Sequence, residues 1–128
     1  MSERQLFEYA VIRVVPKVER TEFLNVGVIL FCPGEKFLQT MFVLDAARLN
    51  AFSPHINMDE LDASLCSFRE ISLGAPNAGP IGKLAIAERF RWLTAARSTV
   101  VQTSEVHTGL CTGAAEMLEK LFKELVLT

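Results

Sequence analysis

Hydrophobic positions in the first third of the chain follow the spacing of strands. Residues 6–15 are rich in β-branched and aromatic side chains, and Pro16 closes that segment. Residues 22–32 and 37–44 form two further apolar runs, separated by the Pro33-Gly34 turn signal. Because the links are short, these runs predict an antiparallel meander of successive strands.

The second predicted strand combines a clean apolar face with an irregular one. The apolar face consists of Leu24, Val26, Val28 and Leu30. The other face carries Asn25 and Gly27, which strands disfavour. This pair predicts a bulge, a close backbone approach or a polar site. In the first strand, Arg13 stands among apolar residues, so it is either paired in the interior or reaches water at the strand end.

Beyond the third strand the apolar spacing becomes helical. Asp45 is placed to cap a short helical turn, and Asn57 with Glu60 resembles the capping box of a helix that ends near Gly74. Residues 83–93 predict a further helix.

The rest of the chain predicts one more strand and one more helix. Residues 98–103 are β-branched and predict a strand, residues 104–111 predict a loop or irregular strand, and residues 114–127 predict the last helix. The sequence therefore predicts a single α+β domain over residues 1–128, in which a small antiparallel sheet of about four strands carries helices mainly on one face.

Composition narrows the classes of function. The net charge is −2 and the pI about 5.7, which argues against nucleic-acid binding and against an anionic membrane surface. A mean hydropathy of +0.27 is high for 128 residues. We therefore expect some apolar side chains to face a protein partner or a second copy of the chain rather than water.

The cysteines and the N-terminus predict a reduced, cytoplasmic protein without metal or cofactor. Cys32, Cys66 and Cys111 are widely spaced and form no CxxC pair, so a disulfide framework is not expected. We expect neither a signal peptide nor a membrane helix, because residues 1–9 lack a long apolar segment and the longest apolar run is Val26 to Cys32. His55, His107 and the cysteines lack the ligand spacing of zinc sites, and Cys111 is predicted to be an inert buried thiol.

Candidate chemistry concentrates in residues 89–111, which hold arginines, hydroxyl side chains and a histidine. Guanidinium groups beside hydroxyls are typical of phosphate or carboxylate recognition. With two polar residues of the predicted strands, the candidate ligand-binding set is Arg13, Asn25, Arg89, Arg91, Arg97, Ser98, Thr99 and His107. His107 is the candidate acid or base if the site is catalytic. The alternative is that the arginines pair with helix acids and the hydroxyls satisfy an edge strand.

Three phrases resemble the bacterial domain-of-unknown-function family 3037: YAVIRVVP, EFLNVGVILF and ERFRWLTAARSTVVQTSEVHTGLC. The residues that carry the likeness are Tyr9, Arg13, Pro16, Glu22, Phe23, Asn25, Val26, Gly27, Arg89, Phe90, Trp92, Leu93, Arg97, Ser98, Ser104, His107 and Gly109. The resemblance covers nearly the whole chain and implies no established activity. The resemblance also implies a gene neighbourhood that often includes HipA-like kinases, and this association makes such a kinase a candidate partner.

Two functions follow from these patterns. The first is a non-catalytic binding or regulatory module that acts with a protein partner or as a homodimer. The alternative is a small enzyme or sensor that binds a phosphorylated or nucleotide-like anion through the Arg/Ser/Thr/His set. The alternative requires those side chains to converge on one accessible pocket together with Arg13 and Asn25.

Overall fold

The computed structural model describes residues 3–127, apart from the side chain of Val18, and places a five-stranded antiparallel sheet in the middle of the molecule. The strands are β1 (Gln5–Val14), β2 (Leu24–Cys32), β3 (Phe37–Phe42), β4 (Val101–Thr103) and β5 (His107–Cys111). The helices are α1 (Ala46–Phe52), α2 (Met58–Leu73), α3 (Ile86–Leu93) and α4 (Ala114–Phe122), with a π turn over Lys123–Leu127.

The sheet is four strands wide, although it contains five strands. Its order is β3-β2-β1, and β4 and β5 then share the remaining edge of β1. β4 pairs with the end of β1, where Val14 lies opposite Val101, and β5 pairs with the start of β1, where Gln5 lies opposite Cys111. The predicted α+β class and the meander of the first three strands are therefore confirmed. The predicted strand over residues 98–103 is shorter than expected, and the segment after it forms the additional strand β5.

A bulge in β2 confirms the irregularity predicted at Asn25 and Gly27. Ile12 pairs with Gly27 whereas Arg13 pairs with Asn25, so Val26 is the extra residue. Gly27 also permits a close approach, because a Cβ there would lie 2.6 Å from the backbone oxygen of Met41.

The bulge also corrects the apolar face predicted for β2. Val26 packs with the core beneath α2 and α3, whereas Val28 and Leu30 pack with the core beneath α4. An extra residue in a strand shifts the alternation by one position, so side chains that are two residues apart need not share a face across a bulge.

Two hydrophobic cores lie on opposite faces of the sheet. On one face, Ile12 and Val14 pack against helix residues that include Leu65, Phe90 and Leu93. On the other face, a second core joins side chains of β1 and β2 to α4 and the π turn: Phe7, Val28, Leu30, Leu118, Phe122 and Val126. The helices are therefore mainly on one face, as predicted, and α4 alone covers the other.

The first two helices begin where the sequence signals predict. The side chain of Asp45 accepts a hydrogen bond from the Arg48 N–H, and that of Asn57 accepts one from the Glu60 N–H, each at 3.1 Å. α2 ends at Gly74, which has a left-handed φ of 66°. α3 begins at Ile86 rather than at residue 83, because Ile81–Lys83 form a separate 3-10 turn. Within residues 3–127, no helix combines the length and the apolar character needed to cross a bilayer.

Candidate functional site

A groove of about 840 Å³ opens beside α2, between the connection that precedes this helix and the segment from Trp92 to Val101. Its volume lies within the roughly 300–1,000 Å³ typical of ligand sites. The floor is apolar and consists of core side chains: Leu61, Phe68, Ile71 and Leu93. The lining also includes the basic side chains Lys17, His55 and Arg97, together with one acid, Glu60.

Trp92 and Arg97 form the most distinctive part of the groove wall. The Trp92 side chain is 42% exposed, and the Arg97 guanidinium carbon lies 4.5 Å from the centroid of its ring. Arg97 is held in place by the end of α3, because its guanidinium donates to the carbonyl oxygens of Leu93, at 2.9 Å, and of Trp92. The last carbonyls of a helix lack intrahelical partners, so a basic side chain just beyond the helix satisfies them. Partial burial lowers the pKa of Arg97, which nevertheless stays charged at neutral pH.

Of the eight residues predicted from the sequence, Arg97 and Thr99 line the groove. Arg89 instead folds back on its own segment, where its Nη1 donates to the carbonyl oxygen of Leu84 at 2.8 Å. Arg91 and Ser98 are exposed outside the groove lining. Arg89 and Arg97 thus donate to backbone carbonyl oxygens. These bonds position the two side chains, in place of the ion pairs with helix acids that the alternative predicted.

The other three predicted residues lie on the opposite face of the sheet. Arg13 pairs with Asn25 on one side and Gln102 on the other, and its guanidinium carbon lies 3.9 Å from the Phe23 ring centroid. The Asn25 amide nitrogen donates to the carbonyl oxygen of Leu125 at 3.2 Å. Among the residues that the structure describes, buried Arg13 Nε and Asn25 Oδ1 have no hydrogen-bond partner.

His107 is on the same face as Arg13, at the start of β5. Its ring centroid is 5.2 Å from that of Tyr9, and its side chain is exposed. The eight residues are therefore divided between the two faces and do not converge on one pocket. Their part in binding stays a prediction.

A family model for proteins of unknown function matches residues 9–126. This match confirms the family resemblance noted in the sequence. The chain belongs to the DUF3037 family. No curated protein and no solved structure gave a match.

Ser104, one residue of the DUF3037 pattern, has a clear structural role in this protein. Ser104 sits where the edge strand breaks between β4 and β5, and its Oγ accepts a hydrogen bond from the Val11 N–H at 2.9 Å. The Ser104 N–H in turn donates to the Val11 carbonyl oxygen at 2.8 Å. Ser104 thus satisfies both backbone groups of Val11 at the interruption of the ladder, where an unpaired buried group would be costly.

A second cluster, formed by Cys32, Glu35 and Cys111, was not predicted from the sequence of this DUF3037 member. One ligand-type atom from each residue lies within 4.8 Å of the others. Cys32 is 0% exposed and Cys111 4% exposed, whereas Glu35 reaches the surface. Burial, followed by the proximity of Cys32 and Glu35, raises the pKa of the Cys111 thiol.

The Glu35 carboxylate connects this cluster to the start of α4. Its Oε2 accepts hydrogen bonds from the Ala114 N–H, at 2.8 Å, and from the Gln5 side chain. Sequence spacing could not reveal the cluster, since Cys32 ends β2 and Cys111 ends β5, and the two meet only because both strands flank β1. The missing signal was β5 itself, in which Gly109 weakens the strand pattern.

Proposed function

We propose that this DUF3037 protein is a non-catalytic binding module, and that its groove holds a polypeptide segment of a protein partner. The segment would carry apolar side chains next to an acidic group. The observation that carries the proposal is the exposed Trp92, stacked on Arg97 at the wall of a groove with an apolar floor.

The residue types at the wall support a protein partner. Tryptophan and arginine are enriched among the residues that dominate the energy of protein interfaces. Val100, which is 44% exposed, extends the apolar surface beside Trp92. Covering such surface contributes about 25 cal/mol for each Å² removed from water.

The charges of the lining support an acidic group in the partner segment. Lys17, Arg97 and His55 outnumber Glu60 among the charged or titratable side chains of the groove. Opposite charge in the bound segment would complement this excess and fix its orientation.

The groove chemistry gives less support to catalysis. Within residues 3–127, His55 is hydrogen-bonded to none of the serine or threonine hydroxyls of the groove lining. A hydroxyl nucleophile needs a base within hydrogen-bond reach. The proposal therefore assigns the groove to binding alone.

A HipA-like kinase, the partner implied by the family resemblance, is our first candidate for the bound protein. We propose the cytoplasm as its compartment, because the three cysteines are free and a reducing environment keeps them so.

Site-specific photocrosslinking in native cells tests this proposal. A photoreactive side chain at position 100 should yield a single adduct with the partner, and the adduct should be lost in Trp92→Ala. The matched control places the same group at position 110, where Leu110 is 56% exposed and outside the groove. Equal adducts from both positions would contradict the proposal. Adducts formed solely between copies of this chain would show that the groove binds a second copy in a homodimer, and would contradict a separate partner.

A second candidate function is an anion sensor, favoured by one observation on the other face. The partly buried Arg13 guanidinium stacks on Phe23. Within residues 3–127, neither Arg13 Nε nor Oδ1 of its strand neighbour Asn25 has a hydrogen-bond partner. A partly buried arginine of this kind can bind phosphate oxygens with both edges of its guanidinium. The enzyme form of this candidate would use His107 as the acid or base.

A thermal-shift screen tests the sensor. A phosphorylated metabolite or nucleotide at 100 times its Kd should stabilise the chain by about 2.7 kcal/mol, which raises Tm by several degrees. The shift should disappear in Arg13→Gln and persist in Arg91→Gln, since Arg91 is exposed outside both sites. Equal shifts in both variants would contradict a site at Arg13.

A further inference from the structure

We propose that Cys32, Glu35 and Cys111 form a binding site for a thiophilic divalent cation, with Zn²⁺ as its reference ion. The proposal is independent of the groove, whose lining contains none of the three residues. It also revises the expectation, based on sequence spacing, that the chain has no metal site.

The ligand atoms are already close to coordination distances. One atom from each residue lies within 4.8 Å of the others. In tetrahedral zinc coordination with Zn–S bonds of about 2.3 Å, two sulfur ligands are about 3.8 Å apart. Bringing the two thiolates and the carboxylate onto one ion therefore requires the sulfur atoms to approach by at most about 1 Å.

The topology favours an ion over a disulfide between the two cysteines. Cys32 ends β2 and Cys111 ends β5, and β1 runs between these strands. Strands on either side of a common neighbour are about 9.5 Å apart, twice the usual strand spacing. A disulfide requires Cα atoms within about 7 Å, a limit that a shared ion does not impose, and both thiols are free in the structure.

If both thiols ionise, a cation is needed to offset the negative charge of the three side chains. Two thiolates and a carboxylate would place three negative charges beside the apolar core around Phe7 and Leu118, which is unfavourable without compensation. Binding of M²⁺ by Cys32 and Cys111 releases two thiol protons to solvent and leaves one net negative charge. No electron is transferred.

The start of α4 stabilises that remaining charge. Glu35 Oε2 accepts from the Ala114 N–H at 2.8 Å and lies 4.0 Å from Cys32 Sγ, so the positive end of the helix lies against the site. A carboxylate offers about four lone-pair sites, so Glu35 can contact the helix and the ion together. Because Glu35 is exposed, the fourth position faces solvent and would take a water molecule.

Titration of the reduced full-length chain with Co²⁺ tests the proposal. One equivalent of Co²⁺ should produce thiolate-to-cobalt charge-transfer absorption, and Zn²⁺ should abolish the band by displacement. The absorption should be lost in Cys32→Ser and Cys111→Ser and persist in Cys66→Ser, since Cys66 lies on α2, outside the cluster.

Glu35→Gln serves as the variant that preserves the fold, because its amide oxygen can still accept the Ala114 N–H. It should weaken Co²⁺ binding about tenfold or more, as expected for loss of an anionic ligand, while the circular dichroism spectrum stays that of the parent chain. Absence of the charge-transfer band in the parent chain would overturn the proposal. So would a band that survives in both Cys32→Ser and Cys111→Ser, or Co²⁺ affinity unchanged in Glu35→Gln.

Discussion

At the residue scale, the atoms around Gly27 explain why this position favours glycine. Gly27 lies in the β2 bulge, where a Cβ would lie 2.6 Å from the Met41 oxygen and 2.9 Å from the Phe42 Cβ. Both contacts involve atoms that cannot move independently of β3. The sequence predicted that Asn25 and Gly27 were exceptional, but which of three explanations applied depended on the partner strands.

We predict that Gly27→Ala destabilises the protein by about 1–3 kcal/mol, because the added methyl group must displace the β3 backbone. Equilibrium denaturation in urea measures the change. The matched control is Gly34→Ala, whose added Cβ would meet the flexible end of Gln5 at 2.5 Å and should cost less. Equal losses in the two variants would contradict the explanation by close backbone approach.

Thiol reactivity gives a second prediction at this scale. Cys66 is partly exposed, whereas Cys32 and Cys111 are buried and the pKa of Cys111 is raised. A raised pKa reduces the thiolate fraction at any given pH, and the thiolate is the reactive form. In the metal-free native chain, one thiol per chain should therefore react rapidly with a thiol reagent at pH 8. Cys66→Ser should abolish this rapid phase. A rapid phase of two or three equivalents in the native chain would contradict this order of reactivity.

At the element scale, local signals predicted the helices and strands that have strong end markers. Asn57 was recognised as the cap of α2 because capping depends on residues within one turn. β5 and the face occupied by α4 depend on pairing with β1 and on packing over β2 and β3, which are distant in sequence. The candidate site residues are divided between two faces for the same reason, since proximity in residues 89–111 does not place side chains on one face of the sheet.

We predict that Asn57→Ala costs about 1 kcal/mol, because it removes the acceptor for the Glu60 N–H at the start of α2. Denaturation midpoints at constant m-value measure the loss. Asn50→Ala is the control, since Asn50 is exposed within α1 and alanine is the better helix former. If the two substitutions had equal effects, the Asn57 side chain would not be acting as a cap.

At the scale of the whole molecule, one sheet supports two cores, and the functional features are distributed around it. The groove lies on the side of α2 and α3, Arg13 and His107 lie on the α4 side, and the cysteine cluster lies at the start of α4. β1 is an interior strand of the sheet, because both of its edges are paired.

Each core should contribute separately to stability. Leu65→Ala and Leu118→Ala should each cost about 2–5 kcal/mol, and the double variant should lose roughly the sum because the sheet separates the sites. Leu65 is 0% and Leu118 2% exposed. The exposed Leu73 provides the control, for which alanine should change stability by less than about 0.5 kcal/mol. A negligible cost for Leu118→Ala would contradict the packing of α4 on the sheet.

The most direct test of the binding-module proposal is the Kd of the partner captured at position 100, measured by isothermal titration calorimetry. Val100→Asp introduces a charge at the groove while the Val100 carbonyl oxygen can still accept from the Val15 N–H. We predict that this substitution weakens binding about tenfold or more, or about 1.4 kcal/mol, while Leu110→Asp leaves the Kd within about twofold. An unchanged Kd in Val100→Asp, or an equal loss in both variants, would contradict the groove as the binding site.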